Sequence, residues 1–197
     1  MDNNRFIEIL QGTQREGMEP VIQQLKRSGF FEAPASSKFH LACKGGLLEH
    51  SMNVYDAAMM LRGQIIKVRP ELEEQLPIDS VAISALLHDV CKTDIYKEGI
   101  LNRKNAEGYW EKYLGYTVDY GAGLPLGHGE KSVIMLLAWG LKLTTEEMLA
   151  IRWHMSAWDM PMQSPEHKDS FNAAKAKSPL VALIQSADGI ATGLLER

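Results

Sequence analysis

The sequence has few cysteines and no long apolar run. Cys43 and Cys91 are its only two cysteines in 197 residues. They form no CxxC pair and have no secretory spacing, which indicates a reducing compartment. No apolar segment approaches the roughly 20 residues of a membrane-spanning helix, and residues 1–5 are polar, unlike a signal peptide. We therefore expect a cytoplasmic protein that does not bind membranes.

An excess of positive charge is also missing. Lys and Arg number 21 against 25 Asp and Glu, so the net charge is −4. A broad nucleic-acid-binding surface is therefore not expected, although a local basic patch is not excluded. Hydrophobic residues make up 45% of the chain, enough for a sizeable core. This length and composition predict a single domain over residues 1–197.

Apolar periodicity predicts an all-α bundle with one small β-like insertion. Helices are expected at residues 3–11, 17–28, about 47–66, from about 78, 127 to about 140, 145–154 and from 179. The sequence Thr144-Thr145-Glu146-Glu147 is a capping box, and Pro179 suits a first helical turn. Residues 156–177 are predicted to be mostly loop.

The insertion, residues 95–127, differs in composition from the rest. Glycines punctuate a run of aromatic residues: Tyr96, Tyr109, Trp110, Tyr113, Tyr116 and Tyr120. Residues 109–120 have no strong helical period and good β-propensity, which predicts a hairpin or an ordered loop. The aromatic side chains could stack on a nucleobase. A hairpin packed over one end of the helical bundle is the alternative that we favour.

A pair of polar residues ends the most apolar predicted helix. The run from residue 81 to residue 87 is followed directly by His88-Asp89. Two titratable groups at the end of a buried helix are costly unless something satisfies them. Imidazole nitrogens and carboxylate oxygens both bind divalent first-row metals. His88 and Lys92 share a helical face, so the Lys92 ammonium is expected close to whatever His88 holds.

Further histidines and one aspartate occupy similar positions. His50 and Asp188 fall on the apolar faces of their predicted helices, His154 ends a helix and His128 begins one. One buried histidine is ordinarily a packed core residue. Four histidines and two aspartates placed this way are hard to explain by packing, because isolated buried carboxylates are rare. The pattern therefore predicts a metal site.

The order of these residues resembles a known family. His50, then His88-Asp89, then Asp188 are similar to the H…HD…D pattern of the HD-domain superfamily, most of whose members are metal-dependent phosphohydrolases. The segment from His88 to Lys92, HDVCK, resembles the HDxxK of that family. The resemblance covers most of the chain and implies an HD-type helical bundle.

Two more residues, His128 and His154, match the additional ligands of the dinuclear branch of this family. That branch includes bacterial 3′–5′ exoribonucleases, cyclic-dinucleotide phosphodiesterases and mixed-valent di-iron oxygenases. Residues 31–40 and 45–50 look most like the HD domain of the exoribonucleases. At this length the chain is expected to lack their oligonucleotide-binding domain, and it has no GYP signature of the cyclic-dinucleotide enzymes.

The resemblance implies two divalent metal ions, drawn from Mn, Fe, Co, Ni and Mg. One metal would be held by His50, His88, Asp89 and Asp188. Asp89 would bridge to a second metal held by His128 and His154. Residues 1–44 would then be N-terminal helices and a connection, and residues 45–195 a metal-binding helical core.

The resemblance also implies residues that act on the substrate. Asp89 and Lys92 are the expected catalytic residues, with Lys92 placed against a phosphate oxygen as a point charge. Lys131, one helical turn after His128, and Arg152, beside His154, are further candidates for substrate binding. His40 is either a substrate contact or a surface histidine, and the sequence favours neither.

These residues predict hydrolysis of a phosphomonoester or phosphodiester in a small molecule, nucleotide or short nucleic acid. A di-iron oxygenase would use the same six ligands, and spacing does not separate the two. A non-catalytic nucleotide-binding module is a third interpretation, against which the intact ligand set counts. Cys91 is interpreted as a small buried hydrophobe rather than a redox residue. The pattern predicts neither the substrate nor the oligomeric state.

Overall fold

The computed structural model describes residues 3–119, 121–156 and 164–196. Tyr120, Trp158 and Pro161 lie outside the described residues. Those that are described form eight α-helices and one two-stranded sheet, so the fold is mostly α, as predicted. In chain order the elements are α1 (Asn3–Gly12), α2 (Met18–Arg27), α3 (Gly46–Val68), α4 (Ile78–Leu87), β1 (Tyr96–Lys104), β2 (Trp110–Val118), α5 (His128–Ala138), α6 (Thr145–Trp153), α7 (Pro165–Lys177) and α8 (Pro179–Ile190).

Within the described ranges no single helix is both long enough and apolar enough to cross a membrane.

Helix α3 runs between two apolar clusters. Its first half contributes Leu47 to a cluster that also contains residues of α1, α2, α4 and α5. The middle of the helix, from Val54 to Ala58, contributes to a second cluster built mainly with α4 and α8. Two sides of α3 therefore contact apolar clusters, and His50, which is itself buried, lies between Leu47 and Val54 along the helix. Helix α4 also contributes to both clusters, and His88 follows its last turn.

A pair of glycines starts α3. Gly45, the residue before the helix, has a φ of 79°, a left-handed conformation that glycine adopts without steric cost. A Cβ at Gly46 would overlap the Leu41 carbonyl oxygen. These two glycines let the start of α3 approach the loop before it, which carries His40.

Helix α7 corrects the prediction of a loop over residues 156–177. The part of this segment from Pro165 to Lys177 is helical. Ser164 caps the helix and Pro165 occupies its first turn, both ordinary helix-start signals. The prediction failed because Phe171 and Ala174 are the only buried residues of α7, so its apolar period is weak.

The predicted hairpin is confirmed as β1 and β2, which pair antiparallel from Tyr96↔Val118 to Lys104↔Trp110. Its far end is not packed on the bundle. Tyr109 is 73% exposed and Trp110 is 71% exposed. The packed-hairpin interpretation is therefore wrong for that end, and base stacking stays a prediction.

Candidate metal centre

The end of α4 places His88 and Asp89 in the protein interior. Both residues are buried. His88 Nδ1 donates to the Ala85 carbonyl oxygen at 2.8 Å, so its Nε2 presents a lone pair. Burial lowers the pKa of His88, which keeps the ring neutral. The chain thus positions one imidazole with the tautomer of a metal ligand.

Lys92 reaches this pair by a route that the sequence did not predict. Helix α4 ends at Leu87, and a 3-10 turn from Val90 to Thr93 carries the lysine, so His88 and Lys92 do not share one continuous helical face. The turn nevertheless brings Lys92 Nζ to 2.6 Å from Asp89 Oδ2. Burial raises the pKa of Asp89, but the Lys92 ammonium more than offsets this effect, and the pKa lies well below its usual value. Asp89 is therefore an ionised carboxylate.

His50 faces His88 across the site. Its Nδ1 donates to Glu196 Oε1 at 3.0 Å, and its Nε2 lies 3.1 Å from His88 Nε2. The His88 nitrogen carries a lone pair, so a cation or proton is needed between the two rings. Burial lowers the pKa of His50, but hydrogen bonds to Asp89 and Glu196 outweigh it and raise the pKa to about 9. The space between His50 Nε2 and His88 Nε2 is therefore a position where a proton or a metal ion fits.

His154 approaches the other oxygen of the same carboxylate. Its Nδ1 donates to the Ile151 carbonyl oxygen at 2.7 Å, which turns the Nε2 lone pair inward. That Nε2 lies 3.4 Å from Asp89 Oδ1. Both atoms are buried, and neither finds a hydrogen-bond partner within the described part of the chain. Buried polar atoms of this kind are costly unless an ion or water satisfies them.

Asp188 and His128 complete the group. Asp188 Oδ1 lies 3.5 Å from His50 Nε2, and ligand atoms of His88, His154 and Asp188 lie within 4.8 Å of one another. His128 has a ligand atom within the same distance of Asp89. Ligands on one ion with bonds near 2.1 Å are separated by about 3–4.3 Å. The buried His/Asp cluster can therefore bind a metal ion.

A close approach between two helices positions His128 near His154. A Cβ at Gly129 would overlap the Arg152 carbonyl oxygen, so the start of α5 lies against the end of α6 only because residue 129 is glycine. His128 begins α5 and His154 follows α6. The Gly-His-Gly segment thus places His128 and His154 at the neighbouring ends of two helices.

A cavity of about 740 Å³ opens onto the cluster. Among its lining residues are His40, His50, Asp89, Lys92, His128, His154 and Asp188. Its wall includes Tyr96 and Val118, at the base of the hairpin, and Phe39 lies at its edge. A volume of this size accommodates a small organic ligand. The cluster is therefore accessible to a small ligand.

Two of the predicted substrate-binding residues lie elsewhere. Lys131 is buried and its ammonium pairs with Asp94, beside a neighbouring cavity. Arg152 Nη2 pairs with Glu130 Oε1 at 2.7 Å, and its guanidinium lies over the Trp153 ring. Neither side chain lines the cavity at the cluster.

His40 does line that cavity, and its side chain is only 21% exposed, so it is not a surface histidine. Cys91 is fully buried, as predicted, with a thiol whose pKa is raised to about 12 by burial and by Asp89. The sequence analysis missed Glu196, which contacts His50. A single glutamate at the end of the last helix carries no motif that would have identified it.

Comparison with protein-family models, with curated proteins and with solved structures found no match to this chain. The candidate site therefore rests on its own geometry: a buried cluster of imidazoles and carboxylates that can hold a metal ion, at the floor of a cavity.

Proposed function

We propose that the chain is a metal-dependent phosphohydrolase of the HD-domain superfamily, in its dinuclear branch. The observation that carries the proposal is the arrangement around Asp89. Its Oδ2 lies 3.4 Å from His50 Nε2 and 3.3 Å from His88 Nε2, whereas its Oδ1 lies 3.4 Å from His154 Nε2. One carboxylate with separate imidazoles on each oxygen is the arrangement of a ligand that bridges two cations.

The donor set fits two divalent ions. His50, His88, Asp188 and Asp89 Oδ2 would hold the first, and His154, His128 and Asp89 Oδ1 the second. Four imidazoles favour Mn, Fe, Co or Ni over Mg, which prefers oxygen ligands. Two bound cations supply an activated water and stabilise negative charge on phosphate oxygens.

The residues of the chain supply the rest of the chemistry. The Lys92 ammonium lies beside Asp89 and lines the cavity, so it can also contact a phosphate oxygen that enters there. Phe39, which is 83% exposed, offers an apolar surface at the edge of the same cavity. A phosphate with an attached organic group, such as a nucleotide or the end of a short oligonucleotide, matches this combination.

Metal analysis and a substrate panel test the proposal. The purified protein would be assayed on phosphomonoesters, phosphodiesters and short oligonucleotides with Mn²⁺, Mg²⁺, Co²⁺, Ni²⁺ and Fe²⁺, in air and without oxygen. We expect metal-dependent turnover that does not require oxygen. Asp89→Asn should abolish it, whereas Asp56→Asn, which alters an exposed pair with Arg5, should not.

Two results would contradict the proposal. Oxidation of a substrate that requires oxygen, without hydrolysis, would assign the site to a di-iron oxygenase. Bound metal with no turnover of any phosphoester would assign it to a non-catalytic nucleotide-binding module.

A further inference from the structure

Glu196 is a buried carboxylate behind the candidate metal centre. It follows a π-helical turn, Ala191–Leu195, at the end of α8, and its side chain has no exposed surface. His50 Nδ1 donates to its two oxygens, at 3.0 and 3.2 Å, and Asn53 Nδ2 donates to Oε1 at 3.1 Å. A buried carboxylate is costly unless such donors satisfy it. Both donors lie on α3, one turn apart.

The contact determines which nitrogen of His50 is free to bind a metal. A carboxylate accepts hydrogen bonds only, so His50 Nδ1 carries the proton. His50 Nε2 is then the nitrogen that faces His88 and Asp188, and a metal ion that replaces its proton would bind there. Imidazole ligands of metals commonly donate their second nitrogen to a carboxylate, which orients the ring and raises its basicity.

The same helix supplies both a ligand and this carboxylate. Asp188 lies on α8, and the π-helical turn that follows places Glu196 on the far side of the His50 ring. The Glu196 amide donates to the Ala191 carbonyl oxygen at 3.1 Å, which fixes the end of the turn. Single π-helical turns often occur at functional sites. Here the turn places a carboxylate directly behind a proposed ligand.

We infer that Glu196 is a positioning residue, which holds His50 as an Nε2 ligand and strengthens metal binding at the position shared by His50 and His88. The inference rests on the metal site of the proposed function, but it does not depend on hydrolysis. It is therefore tested by metal affinity, in a protein that need not turn over any substrate.

The experiment compares Glu196→Ala and Glu196→Gln with the wild type. Affinity for Zn²⁺ and Mn²⁺ would be measured by competition with a chelating dye. Loss of a carboxylate behind a metal-bound histidine typically costs about 10–100-fold in affinity, which we expect for Glu196→Ala. Glu196→Gln should recover part of this, because an amide oxygen still accepts from Nδ1. Glu16→Gln, at an exposed pair with Lys142, is the control and should bind metal as the wild type does.

A second measurement separates positioning from packing. In the zinc-loaded wild type, ¹H–¹⁵N spectra of histidine-labelled protein should show an exchange-protected Nδ1–H on His50, and Glu196→Ala should lose it. Asn53→Ala removes the other donor to Glu196 and should change metal affinity less than threefold. Wild-type affinity in both Glu196 variants would overturn the inference, and so would an equal loss in Asn53→Ala. If Glu196→Ala does not fold, the metal affinity of Glu196→Gln and the Nδ1–H signal of the wild type test the inference instead.

Discussion

Replacement of Lys92 distinguishes substrate binding from support of the metal site. Lys92 Nζ lies 2.6 Å from Asp89 Oδ2, and the two side chains are 7% and 2% exposed. Burial lowers the pKa of Lys92, but Asp89 raises it, and the net pKa is above the ordinary value. The side chain is therefore an ammonium that cannot itself bind a metal. It is the cation nearest to the proposed bridging carboxylate.

The two roles predict opposite effects on metal binding. Lys92→Ala removes a positive charge next to a site for divalent cations, so metal affinity should be unchanged or higher. The same change removes a charge-assisted hydrogen bond to phosphate, which costs about 1.5–3 kcal/mol, or roughly ten- to hundredfold in kcat/KM. Lys92→Arg should restore only part of this, because a planar guanidinium does not replace a compact ammonium.

Steady-state kinetics with metal content measured in parallel provides the assay. Lys142→Ala, at an exposed pair with Glu16, is the matched lysine control and should retain wild-type kcat/KM. An unchanged kcat/KM in Lys92→Ala would end the phosphate-binding assignment. Loss of metal from that variant would show instead that the lysine supports the structure of the site.

Three further substitutions test the bridging carboxylate, a buried carboxylate of the fold and a close contact between two helices. Asp89→Asn keeps the shape of the bridging side chain but removes its charge, so elemental analysis should find both metals lost; full occupancy would exclude the bridging role. Glu147→Ala removes a fully buried carboxylate, to which the partly buried Arg15 donates at 2.6 and 2.7 Å. It should lower the free energy of unfolding by about 3–5 kcal/mol in urea titrations, and a change under about 1 kcal/mol would refute this. Gly129→Ala should push α5 away from the Arg152 carbonyl oxygen and reduce the metal content from two ions towards one, whereas two retained ions would show that the contact can relax.

Local signals account for most of the helices predicted from the sequence. The capping box at Thr144 to Glu147 is present, and Pro179 occupies the first turn of α8. Helix α7 has the same kind of start at Ser164, but its exposed faces give it little apolar period. Sequence periodicity detects burial against a core, so a helix that buries few residues is missed even when its cap is clear.

The positions of the candidate ligands were predictable where burial was predictable. His50 lies on the buried side of α3 and His88 directly follows the buried helix α4, and buried polar groups need partners. The positions of the Lys131 and Arg152 side chains were not predictable, because their ion-pair partners, Asp94 and Glu130, are determined by tertiary contacts. Glu196 was missed for the same reason, since its burial depends on where the π-helical turn ends.

The proposed function requires Asp89 to bridge two metal ions. Anomalous diffraction from crystals of the protein grown with Mn²⁺ would locate those ions. We expect two peaks on opposite sides of Asp89, one within bonding distance of His50, His88 and Asp188, the other within bonding distance of His128 and His154. Anomalous peaks that all lie beyond bonding distance of Asp89 would contradict it, and a single peak without His128 and His154 as ligands would contradict the dinuclear site.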